Sequence, residues 1–368
     1  MTSDRISYAV IGAGCGGQSI AGYLASRGYE TSLYNRSESR IQDLMAEPRI
    51  RLRGEIEAEG KLSYAGTDME KAVRGKDVIM VVTTADAHRE LAHKMAPYME
   101  DGQIVILNPG RTCGALDFER GLYEAGCAKD VISAEANTLV YATRVNEPGV
   151  ANIKGVKKEV SLAALRNDDT KTVLSAITSA YPQFVAAESF LDTSLGNIGA
   201  IFHPTITLMN RDRIMKGEEF DFYTDGVDYK VAEFIEEVDR EFRNVSEAFD
   251  ANPLPVTEWL MSRYGIPQSD VYTMLHSNRF YRGIKAPNTI DVRYLWEDIP
   301  TGLVPIAEFG HSLGVDTPAI DYLIDEGSNV LNRDFRSSGR TPEKLGLSRE
   351  NLKHELKNLA EKKVNAVI

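Results

Sequence analysis

The stretch "YAVIGAGCGGQSIAGYLASRGYETSLYNRSESRI", Tyr8 to Ile41, decides the fold. Its first residues are apolar and compact, as in a strand buried on both faces. Gly12, Gly14 and Gly17 follow in G-x-G-x-x-G spacing. After them Ile20, Leu24 and Ala25 recur at near-helical spacing until Gly28 stops the pattern. "ETSLYN", Glu30 to Asn35, then forms a second strand. In this strand–turn–helix setting each glycine has a physical task. Gly12 permits the tight turn, Gly14 lets backbone approach a pyrophosphate, and Gly17 lets helix and strand pack closely. The helix N-terminus adds free N–H groups and a positive dipole end. A dinucleotide-binding unit is expected, against the plainer alternative of a glycine turn made only for packing.

"YNRS" falls where such units usually place an Asp or Glu that accepts hydrogen bonds from the adenosine ribose. A carboxylate there repels a ribose 2′-phosphate. Asn35 removes the charge, Arg36 supplies a planar cationic donor, Ser37 adds a hydroxyl, and Arg40 lies one turn on. The expected cofactor is therefore NADP, used as NADPH. The alternative is a solvated loop arginine on an NAD enzyme.

Working outward, "DVIMVVTT", "QIVILNPG" and "DVISAEAN" read as further strands, with helical stretches at 87–99 and 114–126. Repeated strand–helix alternation implies an α/β Rossmann-type, doubly wound, mostly parallel sheet. "VANIKG" and "EVSLAAL" are expected to extend that sheet or link to it. From about Glu188 the strand runs fade and long helical patterns take over, such as "VDYKVAEFIEEVDREFRNVSEAFD". The expected plan is a dinucleotide-binding domain over 1–187 and an all-helical substrate and dimerisation domain over 188–368. The closing "ENLKHELKNLAEKKVNAVI" reads as an exposed amphipathic helix.

Bulk properties exclude several classes. The 368 residues exceed one ordinary hydrophobic core, and 43% hydrophobic with 26% charged residues is the composition of a globular protein. A net charge of −12 argues against nucleic-acid or anionic-membrane surfaces. No apolar run reaches a membrane span, and residues 1–7 lack signal-peptide character. Cys15, Cys113 and Cys127 are far apart, so reduced thiols, a cytoplasmic location and no metal site are expected.

Among six histidines, His203 stands apart, in the apolar, small-residue stretch "DTSLGNIGAIFHPTITLMN". Thr193, Asn197 and His203 recur at loose helical spacing and could share one face. A histidine near a nicotinamide suits general acid–base work, because its ordinary pKa lies near operating pH. The competing reading is a satisfied core histidine. A second cluster, Tyr281, Arg282, Arg293, Glu297 and Asp298, lies in "NRFYRGIKAPNTIDVRYLWEDIPTGLVP". Its arginines suit a carboxylate substrate and an Asp could orient a histidine. A surface ion-pair loop fits the same letters.

Taken together, "YAVIGAGCGG", "GQIVILNPGRTCGALDF", "TSLGNIGAIFHP", "YRGIKAPN", "RYLWEDIPTGLVP" and "DFRSSGRTPEKLGL" span nearly the full length in order. On these motifs the chain resembles the opine dehydrogenases, above all bacterial members that form N-(1-carboxyethyl)-L-norvaline. The resemblance implies a nucleotide-binding domain plus a helical domain, with catalysis in the cleft between them. It implies reductive condensation of an α-keto acid with an amino-acid amine by a reduced nicotinamide. It carries the catalytic histidine to His203 and its aspartate to Asp298. It makes Arg293 part of the substrate site and places Tyr281 in the matching "YRG" segment; Asn197 and Thr193 are held as substrate-site candidates. The bacterial relatives have an aspartate where this chain has Asn35, a departure that strengthens the NADP expectation. The two-domain build would also suit an imine reductase on simple amines or a ketopantoate-like keto-acid reductase. Small-molecule substrates and a homodimer complete the expectations.

Overall fold

The computed structural model describes residues 5–361. They divide into two compact units, one running to Thr193 and including the segment from Asn358, the other Ser194–Lys357. The division falls at 193/194, a few residues beyond the 187/188 boundary read from composition.

The first unit is built on an eight-stranded sheet in the order β12-β11-β8-β7-β6-β1-β2-β5. These strands are β1 (Tyr8–Ile11), β2 (Thr31–Tyr34), β5 (Tyr64–Gly66), β6 (Val78–Val81), β7 (Ile104–Leu107), β8 (Ile132–Ala136), β11 (Val160–Ala164) and β12 (Phe184–Ala186). The pairs from β5 across to β8 are parallel, whereas β11 runs antiparallel to β8 and β12 follows β11. Strands β1, β6 and β7 carry no exposed residue, which is why their text is continuously apolar. From β1 the chain passes to β2 on one side and later to β6 on the other. That makes the carboxyl ends of β1 and β6 the switch point where ligands of such sheets bind.

A second sheet was not foreseen. It has the order β4-β3-β10-β9, from β3 (Arg49–Gly54), β4 (Ala58–Lys61), β9 (Tyr141–Glu147) and β10 (Val150–Val156). Thus "EVSLAAL" extends the main sheet, but "VANIKG" joins this smaller one. Its inner residues Ile50, Leu52 and Ile153 share a core with Ile20, Ala21 and Leu24 of helix α1 (Cys15–Ser26). The opposite face of β3 exposes Arg49, Arg51 and Arg53, so the strand reads as polar text.

The second unit contains helices and an isolated bridge between Asp221 and Lys285 among its described residues. Its central element, Tyr229–Ala248, buries Val231, Ile235, Val238, Phe242 and Val245 along one side, the stripe of an amphipathic helix. The Glu241 carboxylate accepts the Ala319 and Ile320 N–H groups, each at 2.9 Å, at the start of the Pro318–Leu331 helix. That serves two N–H donors that a helix N-terminus leaves without partners. The terminal helix spans Leu352–Glu361; residues 362–368 of the closing segment lie outside the described residues. Leu352, Leu356 and Ala360 on it are buried, the apolar face of an amphipathic helix.

Candidate active site

The glycine turn is built for close backbone approach. Gly12 has φ +110°, a region that favours glycine, and a β-carbon there would lie 2.9 Å from Val82 O. A β-carbon on Gly17 would sit 1.7 Å from Gly12 O, an impossible distance that only glycine avoids. Gly14, the residue before α1, has nothing within 4 Å of its would-be β-carbon. The turn is therefore tight behind and open in front, the shape a pyrophosphate needs against a helix N-terminus. The residues present fit a dinucleotide.

Asn35 immediately follows β2. Its Oδ1 accepts the Ala13 N–H at 3.1 Å and its Nδ2 donates to Ser37 O at 2.9 Å. The side chain thus braces the glycine turn against the segment that would meet the ribose. A carboxylate could copy the first bond but not the second. Arg36, Ser37 and Arg40 are exposed around it. Arg36 Nη1 lies 3.8 Å from Glu90 Oε2 in a solvent-facing pair, and Glu90 also pairs with Lys94.

In the helical unit, His203 projects from the helix Ile198–Met209. Asp298 lies on the segment between the helix Arg293–Trp296 and a π-helical turn, Ile299–Leu303. Such turns recur at functional sites because they re-aim side chains. Pro204 inside the His203 helix removes one intrahelical donor. Gly302 lets the two segments touch: a β-carbon there would be 2.5 Å from Ala200 Cβ and 2.9 Å from Asn197 Nδ2.

His203 Nδ1 lies 2.8 Å from Asp298 Oδ2, and Asp298 is fully buried. A carboxylate there accepts the Nδ1–H and leaves Nε2 as the working nitrogen of the neutral ring. Tyr294 stacks on the imidazole with centroids 4.3 Å apart and planes at 19°. The Tyr223 hydroxyl is 3.1 Å from Nε2. Arg293, half exposed, places Nε 3.1 Å from the Glu297 carboxylate, which is itself 3% exposed. Glu297 holds the guanidinium at Nε, while half of the Arg293 side chain stays exposed.

The structure brings His203, Asp298, Arg293 and Tyr281 into one neighbourhood, with Asn197 at the start of the His203 helix. Tyr281 is buried behind Tyr223, stacked at 4.2 Å, and not on the imidazole itself. Thr193 does not join them. The stretch read as one helical face is broken into two helices, Phe190–Leu195 and Ile198–Met209, so a single spacing does not run through it. Thr193 Oγ1 instead lies 2.9 Å from Glu135 Oε1 and 2.8 Å from Phe190 O, a buried tie within the first unit. Sequence reasoning missed Tyr223 and Tyr294. Tyr294 adjoins Arg293 in an already notable motif, whereas nothing in "FDFYTDG" singles out Tyr223. Burial raises the Tyr223 hydroxyl well above the usual phenol range, with Tyr294, Tyr264 and Asp298 adding to it and Arg293 opposing.

A glycine turn at a sheet switch point and a buried Asp–His pair on a helical unit define the class: a dinucleotide-dependent oxidoreductase. Residues 186–331 match the NAD/NADP octopine/nopaline dehydrogenase alpha-helical domain family, and residues 7–112 match the NAD binding domain of 6-phosphogluconate dehydrogenase. An opine dehydrogenase of Arthrobacter sp. (strain 1C) is 39% identical, over 93% of this chain and 95% of that protein. Octopine dehydrogenase solved with NADH and agmatine superposes with TM-score 0.81 at 22% identity, covering 99% of this chain and all of that one. Yersinopine dehydrogenase with NADP+ bound superposes with TM-score 0.78 at 15% identity, covering 96% and 98%. The chain belongs to the opine dehydrogenase family and is an oxidoreductase acting on a CH–NH bond.

Proposed function

We propose that this enzyme joins a 2-oxo acid such as pyruvate to the amine of an amino acid and reduces the resulting imine with NADPH. The observation that carries the chemistry is the Asp298–His203 pair, 2.8 Å apart, with the half-exposed Arg293 on the same segment as Asp298. Amine addition to the carbonyl gives a carbinolamine, whose hydroxyl departs as water only if it gains a proton. His203 supplies that proton from Nε2, and Asp298 stabilises the imidazolium that stands ready to give it. Arg293 holds a substrate carboxylate through its guanidinium. The nicotinamide, when bound, supplies the hydride that saturates the iminium carbon. His203 in its neutral form then takes up the proton released when the next ammonium substrate is made nucleophilic.

NADPH preference rests on the end of β2. The residue that follows the strand is Asn35 and not a carboxylate, and Arg36, Ser37 and Arg40 are exposed around it. The Arg36–Glu90 pair is solvated and worth little, roughly 0–1 kcal/mol, so a doubly charged phosphate competes with it easily. The test is kcat/KM with NADPH against NADH, on pyruvate and L-norvaline. Wild type favours NADPH, and both Asn35→Asp and Arg36→Ala shift the ratio toward NADH. A wild-type preference for NADH removes this reading.

A homodimer belongs to the same proposal, supported by the exposed apolar side chains Met209, Met215, Tyr229 and Tyr322 of the helical unit. Light scattering at assay concentrations tests it. Among the described residues no helix is long and apolar enough to cross a membrane.

A further inference from the structure

His203 has two ring nitrogens, and both are occupied. Nδ1 is on Asp298 at 2.8 Å and Nε2 is on the Tyr223 hydroxyl at 3.1 Å. One ring face is covered by Tyr294. A substrate that exchanges a proton with this imidazole must therefore work through the Tyr223 hydroxyl or displace it. Displacement is opposed by packing. Tyr223 is 8% exposed, stacked on Tyr281 at 4.2 Å, and flanked edge-on by Phe222 at 5.0 Å and Phe202 at 6.1 Å. Swinging it out would break an aromatic cluster whose stacked and edge-on pairs add stability beyond simple burial.

Resting on the reading of His203 as the acid–base group, we propose that Tyr223 is a third catalytic residue, passing the proton between His203 Nε2 and the substrate. A phenol carries one donor hydrogen and two lone pairs, so it can accept and donate at once. In the dehydration step the imidazolium Nε2–H bond breaks and its proton moves to Tyr223 Oη. The original Tyr223 proton moves to the carbinolamine hydroxyl, the C–O bond breaks, and water leaves. His203 ends neutral, Tyr223 ends as the phenol it began, and the iminium takes the positive charge. No phenolate forms at any point, in keeping with the burial that holds this hydroxyl protonated. Beyond Asp298 and Tyr294, the ionisable groups acting on Tyr223 are Arg293 and Tyr264; Tyr281, against its ring face, is likewise held protonated by burial.

Tyr223→Phe keeps the ring and its stacking and removes one oxygen. With pyruvate, L-norvaline and NADPH, kcat should fall about 10²-fold, the low end for a lost proton-transfer group, while KM for pyruvate moves little. In a His203→Ala background the same change should alter kcat by less than about twofold, because groups that act as one unit are not additive. A Tyr223→Phe enzyme as fast as wild type, or faster, overturns the relay and makes the hydroxyl a mere cover over Nε2. An equal loss in both backgrounds also overturns it, pointing to packing. Wild-type turnover in His203→Ala alone would instead sink the acid–base reading itself. Independently of turnover, the 15N signal of His203 Nε2 should shift in Tyr223→Phe while Nδ1 keeps its signature; an unchanged Nε2 contradicts the contact.

Discussion

Replacing Gly302 with alanine tests how packing sets the Asp298–His203 geometry. The added carbon would sit 2.5 Å from Ala200 Cβ, whereas carbon atoms settle at about 3.5–4.0 Å. The segments must part by about 1 Å or more. Ala200 lies one turn before His203, so the strain falls on the helix that carries the imidazole. A shift of that size, passed on to the pair, takes the 2.8 Å bond to about 3.8 Å, past the roughly 3.5 Å beyond which it is no longer a hydrogen bond. Overpacking costs about 1–3 kcal/mol, while alanine's better helix propensity returns up to about 1 kcal/mol. The net change in stability is therefore modest, and turnover is the decisive reading. A misplacement of about 1 Å costs about 10²-fold in rate. Steady-state kcat is measured beside NADPH affinity by fluorescence titration and thermal unfolding. The expected outcome is a kcat loss of about two orders of magnitude with a small Tm decrease and NADPH affinity unchanged. A lowered Tm with wild-type kcat would refute the idea that this contact positions the pair.

Three further outcomes follow from the same geometry. Asp298→Asn removes a charge about 4 Å from the imidazole centre, worth up to about 4 kcal/mol at an effective dielectric of 20, so kcat should drop by as much as about 10³-fold; stopped-flow NADPH oxidation reads this. Gly17→Ala drives a carbon to 1.7 Å from a backbone oxygen that cannot yield, and should abolish measurable NADPH binding in a calorimetric titration. Glu241→Ala leaves the first N–H groups of the Pro318–Leu331 helix unserved and should cost about 2–3 kcal/mol in denaturant unfolding, without touching cofactor affinity.

The sheet was legible where burial on both faces makes the text continuously apolar, as in β1, β6 and β7. It was not legible in β3, because Arg49, Arg51 and Arg53 alternate with Ile50 and Leu52 and the strand depends on neighbours far along the chain. The glycine turn could be read directly, since its geometry is local. The bracing bonds of Asn35 to Ala13 and Ser37 needed coordinates. Asp298 was placed opposite His203 by resemblance alone; 95 residues separate them, and no periodicity spans that distance. Thr193 was grouped with Asn197 and His203 by spacing that runs across Gly196–Asn197, residues that end one helix and begin the next. Tyr223 stayed hidden because its importance is a contact, made from a loop whose residues look ordinary.

The most direct test is NADPH oxidation by wild type and His203→Ala, with pyruvate and L-norvaline together and with pyruvate alone. Wild type should consume NADPH only when both substrates are present, and His203→Ala should be slower by about 10²–10⁴-fold with NADPH affinity retained. Equal consumption on pyruvate alone, or near wild-type turnover in His203→Ala, would contradict the account.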